Sequence, residues 1–238
     1  MIDGGGDEKY DIGKNVLIPY LLSRKIDNID YMIVSHFDTD HVGGLISVAE
    51  YLKVKNIIIS IQNSETENLY TLLEIANSKN IRIIQIKSED VLDIEKEVKI
   101  VFLWPKPDET FLESSINNNS IVCKIYYNDF SILYTGDIEK ETEKRILNTY
   151  NKEILKSNVI KIPHHGSSSS STSEFLDSVN PTIGLIGVGE NNKFKHPNLE
   201  VIKRLEERRI EIYRTDLDGE IKLTIDKKGK IKIRKNTY

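Results

Sequence analysis

Cysteine is nearly absent from this sequence. Cys123 stands alone among 238 residues, which excludes an internal disulfide or a cysteine-based zinc cluster as the device that holds the fold. Long apolar runs are missing as well: the longest uncharged stretches, such as Val16 to Leu22 and Ile57 to Ile61, fall far short of the roughly 18 to 20 residues a membrane-spanning helix needs. Met1 to Gly6 carries neither the basic start nor the apolar core of a secretory leader. Excess positive charge is lacking too. With 33 basic against 37 acidic residues the net charge is −4, which argues against coating nucleic acid by bulk electrostatics and leaves room for a local polyanion site. Histidine is scarce, with five residues: His36, His41, His164, His165 and His196. None falls on a segment of helical periodicity; each follows a β-like run or lies in a turn, where sites are built.

What is present is a 39% hydrophobic share, enough for a sizeable core, and the expectation is a single domain over residues 1–238. Asp3-Gly4-Gly5-Gly6 reads as a tight turn. A phosphate-binding loop fails there because the glycine spacing before Gly13-Lys14 is wrong and Asn15 stands where Ser or Thr is required. Helical spacing runs from Ile12 to Lys25 with Pro19 inside its first turns, then at Leu45 to Lys53, Glu67 to Ser78, Glu139 to Tyr150 and Leu199 to Arg208. Strand-like runs are Tyr31 to Ser35, Asn56 to Ile61, Arg82 to Ile86, Lys99 to Trp104, Val159 to Ile162, Thr182 to Val188 and Ile210 to Arg214. Ile121 to Tyr127 and Ser131 to Tyr134 form a hairpin through Asn128-Asp129, and Glu220 to Ile225 pairs with Lys230 to Ile233 through Lys227-Lys228-Gly229. A polar stretch covers Lys106 to Asn119, and the five serines Ser167 to Ser171 read as a flexible surface loop. Hairpins mixed with strand-helix units predict an α/β chain of two sheets with helices outside.

Four short segments carry the chemistry. In Ser35-His36-Phe37-Asp38-Thr39-Asp40-His41-Val42-Gly43-Gly44, four potential metal ligands fall within six residues at the mouth of a strand, dense enough for one loop to serve two ions. An EF-hand fails because Ala49 occupies the position of the bidentate Glu. In Tyr134-Thr135-Gly136-Asp137 the carboxylate is either the N-cap of the next helix or a bridge between cations roughly 3.5 to 4 Å apart. In Ile162-Pro163-His164-His165-Gly166-Ser167 the two imidazoles diverge if the segment is extended, so that one meets a metal and the other faces substrate or supports the site. Lys195-His196-Pro197-Asn198 is the weakest, a histidine before proline in a loop.

These segments occur in the order and context of the metallo-β-lactamase superfamily. More closely, the sequence resembles the metallo-hydrolase domain of the ComEC/Rec2 family of DNA-uptake (competence) proteins. Asp3-Gly4-Gly5, Val16 to Leu21 with its central proline, Asn117-Asn118-Asn119-Ser120, Gly187-Val188-Gly189, and Tyr213-Arg214-Thr215-Asp216 with Asp218-Gly219 share the likeness. The resemblance implies an αββα sandwich of two mixed sheets with helices on the outer faces. It places His36 and Asp38 on a first metal, Asp40 and His41 on a second, and Asp137 between them, with one of His164 and His165 completing the second site. His196 and Asn119 are then near substrate. The sequence departs from the pattern twice. Asp38 stands where the commoner motif has histidine, and no histidine lies between His41 and His164, so the first site is expected to be oxygen-rich, weak, or completed by Asn119 and water, and harder ligands lean towards Mn²⁺ or Mg²⁺, with Zn²⁺ still accommodated. Little precedes the Asp-Gly-Gly turn, where the family has one or two strands, so an edge of the first sheet is expected to be missing.

The expected activity is hydrolysis of a phosphodiester by two divalent ions, Zn²⁺ or Mn²⁺, with DNA, single-stranded DNA in particular, as the substrate the resemblance implies. Asp40 orients the attacking water, and His196, or the member of the histidine pair not on metal, donates a proton to the leaving oxygen. Ser167 and its neighbours bind phosphate by hydrogen bonds. Lys222, Lys227, Lys228, Lys230, Lys232, Arg234 and Lys235 concentrate positive charge near the end of the chain, either as a lysine-protected edge hairpin or as a guide for nucleic acid; Tyr238 is the one aromatic among them. Two other readings stand beside this one: a hydrolase of a small phosphodiester, choline-type ester or lactone, and a non-catalytic nucleic-acid-binding or assembly module. The resemblance places an excised domain of this kind outside the cell membrane, tethered to a DNA-uptake channel.

Overall fold

The computed structural model describes residues 1–61, 65–111 and 115–236, so Tyr238 lies outside the described residues. The chain divides into two compact units, Met1–Lys87 with Pro105–Ile121, and Ser88–Trp104 with Val122–Tyr238.

The first unit is built on three parallel strands in the order β1 (Asn28–Val34), β2 (Lys53–Ile59) and β3 (Arg82–Gln85). Parallel neighbours need crossovers, supplied by α2 (Thr39–Tyr51) and α3 (Glu67–Ser78), while α1 (Ile18–Ser23) precedes the sheet and continues a π-helical segment, Gly13–Leu17, that meets it just before Pro19. Val42, Leu45, Val48 and Ala49 recur on one face of α2 and pack with Met32, Ile57 and Leu72 in one core. Truncating Leu45 to alanine there costs about 2–5 kcal/mol. Residues 1–3 run beside β1: Ile33 N–H donates to Met1 O and Asp3 N–H to Ile33 O, at 2.9 and 3.0 Å. A short helix, α4 (Ser115–Asn118), lies in the otherwise polar stretch.

The second unit holds a seven-stranded sheet in the order β10-β9-β8-β7-β6-β5-β4. Its strands are β4 (Val91–Glu95), β5 (Val98–Trp104), β6 (Val122–Tyr127), β7 (Phe130–Tyr134), β8 (Val159–Lys161), β9 (Ile183–Ile186) and β10 (Glu211–Arg214). β4 to β7 are antiparallel, whereas β7, β8, β9 and β10 are mutually parallel. The loops leaving β7, β8 and β9 therefore emerge at one end of the sheet, where sites in α/β folds collect. They carry Asp137, the histidine pair and His196 respectively. The helices are α5 (Lys140–Thr149), α6 (Lys152–Leu155), α7 (Ser173–Val179), α8 (Leu199–Glu207) and α9 (Thr215–Asp218). A hairpin of β11 (Glu220–Ile225) and β12 (Ile231–Asn236) turns at Gly229, whose φ is +76°. Its inner face, Ile221, Leu223, Ile225, Ile231 and Ile233, packs on Phe130, Val159, Ile183 and Tyr213. Its outer face exposes Lys222, Lys232 and Arg234, with Lys222 directly opposite Arg234.

Several expectations need correction. α2 begins at Thr39, six residues before the expected Leu45, so His41 does lie on a helix. The glycines that disguised this start are there for contact: a Cβ on Gly44 would sit 2.4 Å from Gly4 O, and one on Gly6 1.8 Å from Thr39 O. The run from Gly4 to Gly6 is thus held against the start of α2, with Gly4 N–H on His41 O and Gly44 N–H on Gly5 O, both at 2.8 Å. The histidine pair is not extended; it lies in a tight turn, His164 and His165 having φ of 49° and 52°. The serine run is not a flexible surface loop, since Ser170 and Ser171 are buried. β4, α6, α7 and α9 escaped sequence reading because each is short and weakly periodic.

Candidate metal centre

In the first unit β1 delivers Ser35 and His36 to its carboxyl end, and α2 starts three residues later, so Asp38, Asp40 and His41 are set by the helix start. Asp38 occupies the N-cap position, yet its side chain makes no capping bond; its Oδ2 lies 3.7 Å from His36 Nε2. Asp40 is exposed in the first turn, where the helix dipole favours a carboxylate. His36 and His41 are buried, their ring centroids 4.0 Å apart.

The organiser of this cluster is Asp3. Its Oδ1 accepts the Ser35 backbone N–H at 2.8 Å, and its Oδ2 accepts the Ser35 hydroxyl and His41 Nδ1–H, both at 2.6 Å. Burial pushes the Asp3 carboxyl up, but His41, His36 and Ser35 together hold it below the usual carboxylate range. A carboxylate here requires both Ser35 Oγ and His41 Nδ1 to donate. Ser35 Oγ then accepts from His36 Nδ1 at 3.0 Å. One carboxylate thus fixes the tautomer of two imidazoles, protonated on Nδ1 with the lone pair on Nε2.

The second unit repeats the arrangement. Asp137 follows β7 through Gly136, whose φ of +53° turns the chain, and Thr135 Oγ1 donates to Lys161 O at 2.7 Å, tying the ends of β7 and β8. Asp137 is not the N-cap of α5; Glu139 is. Its Oδ1 takes the buried Lys161 ammonium at 3.2 Å, and its Oδ2 lies 3.1 Å from His165 Nε2. Lys161 Nζ also donates to Gly136 O at 2.7 Å. His165 Nδ1 donates to Gly187 O at 2.5 Å, so in the neutral ring the Nε2 lone pair faces a carboxylate oxygen. Such a pair needs a cation between its members, either a proton or a metal ion. Taken separately, each unit offers donors that suit a divalent ion: His36 and His41 in the first and His165 in the second present Nε2, with Nδ1 engaged by a hydroxyl, a carboxylate or a carbonyl, and carboxylates of the same unit lie beside them.

His164 turns elsewhere. Its Nδ1 is 3.5 Å from Glu139 Oε1, and its ring is 5.8 Å from that of His196. The His196 pKa is lowered, first by burial and then by His164 and His165, with Asp137 opposing. Ser167 is nearly buried, its Oγ 3.0 Å from Ser169 Oγ. Asn119 is buried with both ends of its amide on Phe111: Oδ1 accepts Phe111 N–H at 2.9 Å and Nδ2 donates to Phe111 O at 3.0 Å. Sequence reasoning gave Asp3 a turn and a part in the family likeness but no place in the site, and gave Ser35 and Lys161 no role. The signal for Lys161 was a single charge inside Val159-Ile160-Lys161-Ile162, otherwise apolar.

With this geometry, the class follows from comparison with known proteins. The family model described as the metallo-beta-lactamase superfamily matches residues 1–189, and the chain belongs to that superfamily of metal-dependent hydrolases. Among curated relatives, it is 32% identical over 233 residues to ComE operon protein 3 of Bacillus subtilis (strain 168), covering 93% of this chain and 29% of that protein. To competence protein ComA of Neisseria gonorrhoeae it is 28% identical, covering 90% of this chain and 28% of that protein. Recombination protein 2 of Haemophilus influenzae is 24% identical, with 87% of this chain and 24% of that protein covered. The chain thus spans under a third of the length of these relatives. Among solved structures, CmlA, a diiron beta-hydroxylase from Streptomyces venezuelae, superposes with a TM-score of 0.53 at 11% identity, over 79% of this chain and 44% of that one. At that identity the likeness concerns the fold alone, the α/β fold of the superfamily.

Proposed function

We propose that this chain is a metal-dependent phosphodiesterase that cleaves DNA, single strands in particular, within a DNA-uptake system. The observation that supports it most is the Nδ1 anchoring of the imidazoles within each unit, His36 and His41 on Ser35 and Asp3 in the first and His165 on Gly187 in the second, which makes Nε2 the nitrogen each ring offers to a ligand. The residues that would hold two divalent ions are His36 and Asp38 for one, Asp40, His41 and His165 for the other, and Asp137 for both. Bound Mn²⁺ or Zn²⁺ supplies Lewis acidity, acidifying a water and offsetting the charge on the phosphate. Asp40 takes the proton of the attacking water. His196 donates to the leaving oxygen, and His164, backed by Glu139, steadies the phosphate together with Ser167. Lys161 holds Asp137 in place. The similarity to competence proteins favours DNA over a lactone or small ester.

The test is a cleavage assay on labelled single-stranded DNA with and without added Mn²⁺ or Zn²⁺, on the wild type and on Asp40→Ala. Metal-stimulated cleavage that falls at least a hundredfold in the variant is expected. Activity surviving the substitution at full strength would show the site to be wrong, and tight DNA binding without cleavage, unchanged in the variant, would favour a binding module.

A further inference from the structure

The loop that leaves β9 for α8 carries a feature the hydrolytic reading does not use. Phe194 is 64% exposed in an otherwise polar run, Gly189-Glu190-Asn191-Asn192-Lys193-Phe194-Lys195. A lone exposed apolar side chain is ordinary, but this one is placed. Its ring lies 18° from parallel with that of His196, centroids 5.8 Å apart, and His196 is in turn 5.8 Å from His164. A lysine stands on either side of it, with Lys193 Nζ 5.1 Å from the ring centroid.

The loop is also built to hold still. Asn192 Oδ1 accepts His196 N–H at 2.8 Å while its Nδ2 donates to His196 O at 2.8 Å and to Gly189 O at 3.1 Å. Asn198 N–H donates to Gly166 O at 2.8 Å, and a Cβ on Gly166 would sit 2.6 Å from Pro197 Cβ. The loop is thereby seated on the histidine turn itself, so that Phe194 keeps a fixed distance from His164.

We infer that Phe194, with Lys193 and Lys195, is a stacking platform for a nucleobase of a single-stranded nucleic acid. An exposed aromatic face flanked by cations suits a ligand that is planar, polar at its edges and tied to anions, and every base has such a face. A base seated on Phe194 takes the place of the Lys193 ammonium, which turns to the adjoining phosphate. Because the ring continues the row His164–His196, the platform sets which phosphodiester reaches the histidines, one nucleotide from the stacked base. The inference deepens the nuclease reading and rests on it.

Binding of a short fluorescein-labelled single-stranded oligonucleotide, followed by anisotropy with a chelator present so that cleavage does not intervene, tests the platform by itself. Phe194→Ala is expected to weaken binding about tenfold, Phe194→Tyr to restore it, and Phe194→Ala to have no further effect on a strand lacking its bases. Lys193→Gln with Lys195→Gln should lower the slope of log Kd against log salt by about 1.4. Equal affinity of wild type and Phe194→Ala, equal losses on ordinary and abasic strands, or no binding by the wild type would each overturn the platform. Loss of the nuclease reading alone looks different: no metal-dependent cleavage, with strand binding still dependent on Phe194.

Discussion

Asp3 shows how much one side chain does at the residue scale. It receives three hydrogen bonds, and through them sets which nitrogen His41 and His36 present. Removing it leaves both rings able to take the wrong tautomer. Asp3→Ala should therefore lower metal affinity by about 10- to 100-fold, read by competition with a chelating dye, while the far-ultraviolet circular dichroism is unchanged; unaltered affinity would contradict the role. Lys124, on β6, makes a separate claim. It is buried, donates to Ile154 O and Lys156 O at 2.8 and 2.5 Å, and burial lowers its pKa from 10.5 to about 8. Between those values the unfolded chain binds more protons than the folded one, so this group makes stability rise with pH across that window, and its cost is full below about 8. Urea midpoints of wild type and Lys124→Met, compared below and above the window, should show a rise in the wild type that the variant lacks.

At the scale of elements, the serine run is the clearest case of a segment held by a partner far along the chain. Glu143, buried in α5, accepts Ser171 N–H and Thr172 N–H at 2.5 and 2.8 Å, and Arg204 of α8 donates to Ser170 O and Ser171 O at 3.0 and 2.6 Å. Burial raises the Glu143 pKa, while the Thr172 and Ser171 hydrogen bonds and Arg204 oppose it. Glu143→Ala leaves the buried Ser171 N–H and the half-buried Thr172 N–H without their acceptor and should cost about 2–4 kcal/mol, measured by chemical denaturation; a loss within about 0.5 kcal/mol would show that the run needs no such anchor. Composition alone made this segment a loop because five serines say nothing about a glutamate 28 residues before Ser171. The same limit explains α2. Its periodicity from Leu45 was legible, but its first turn, rich in ligands and glycine, was not, since Gly44 is tolerated in the helix for the close approach of Gly4. The longer strands and helices were legible from apolar spacing; β4 and α7 were too short to show it.

For the whole molecule, three of the four segments proposed to carry the chemistry stood out because histidine is so scarce that all five fall in them, and Asp137 stood out by closing a strand after Gly136. What supports those segments did not. Asp3, Ser35 and Lys161 act through partners that only the folded chain brings near, Asp3 on Ser35 and His41, Lys161 on Gly136 and Asp137. The parallel run of β7, β8 and β9 turns three distant segments into one edge, which order along the chain does not reveal. On the proposed reading, a net charge of −4 understates the attraction for DNA, since the carboxylates proposed as ligands are those a bound cation neutralises, and the outer face of the β11–β12 hairpin stays basic. The most direct test of the account is a titration of the chelator-stripped chain with Mn²⁺, following bound metal and cleavage of single-stranded DNA in the same samples. The account predicts about two equivalents per chain at saturation, with cleavage absent from the stripped protein and rising with occupancy. Full cleavage by the stripped chain, or saturation with metal and no cleavage of any phosphodiester, would contradict it.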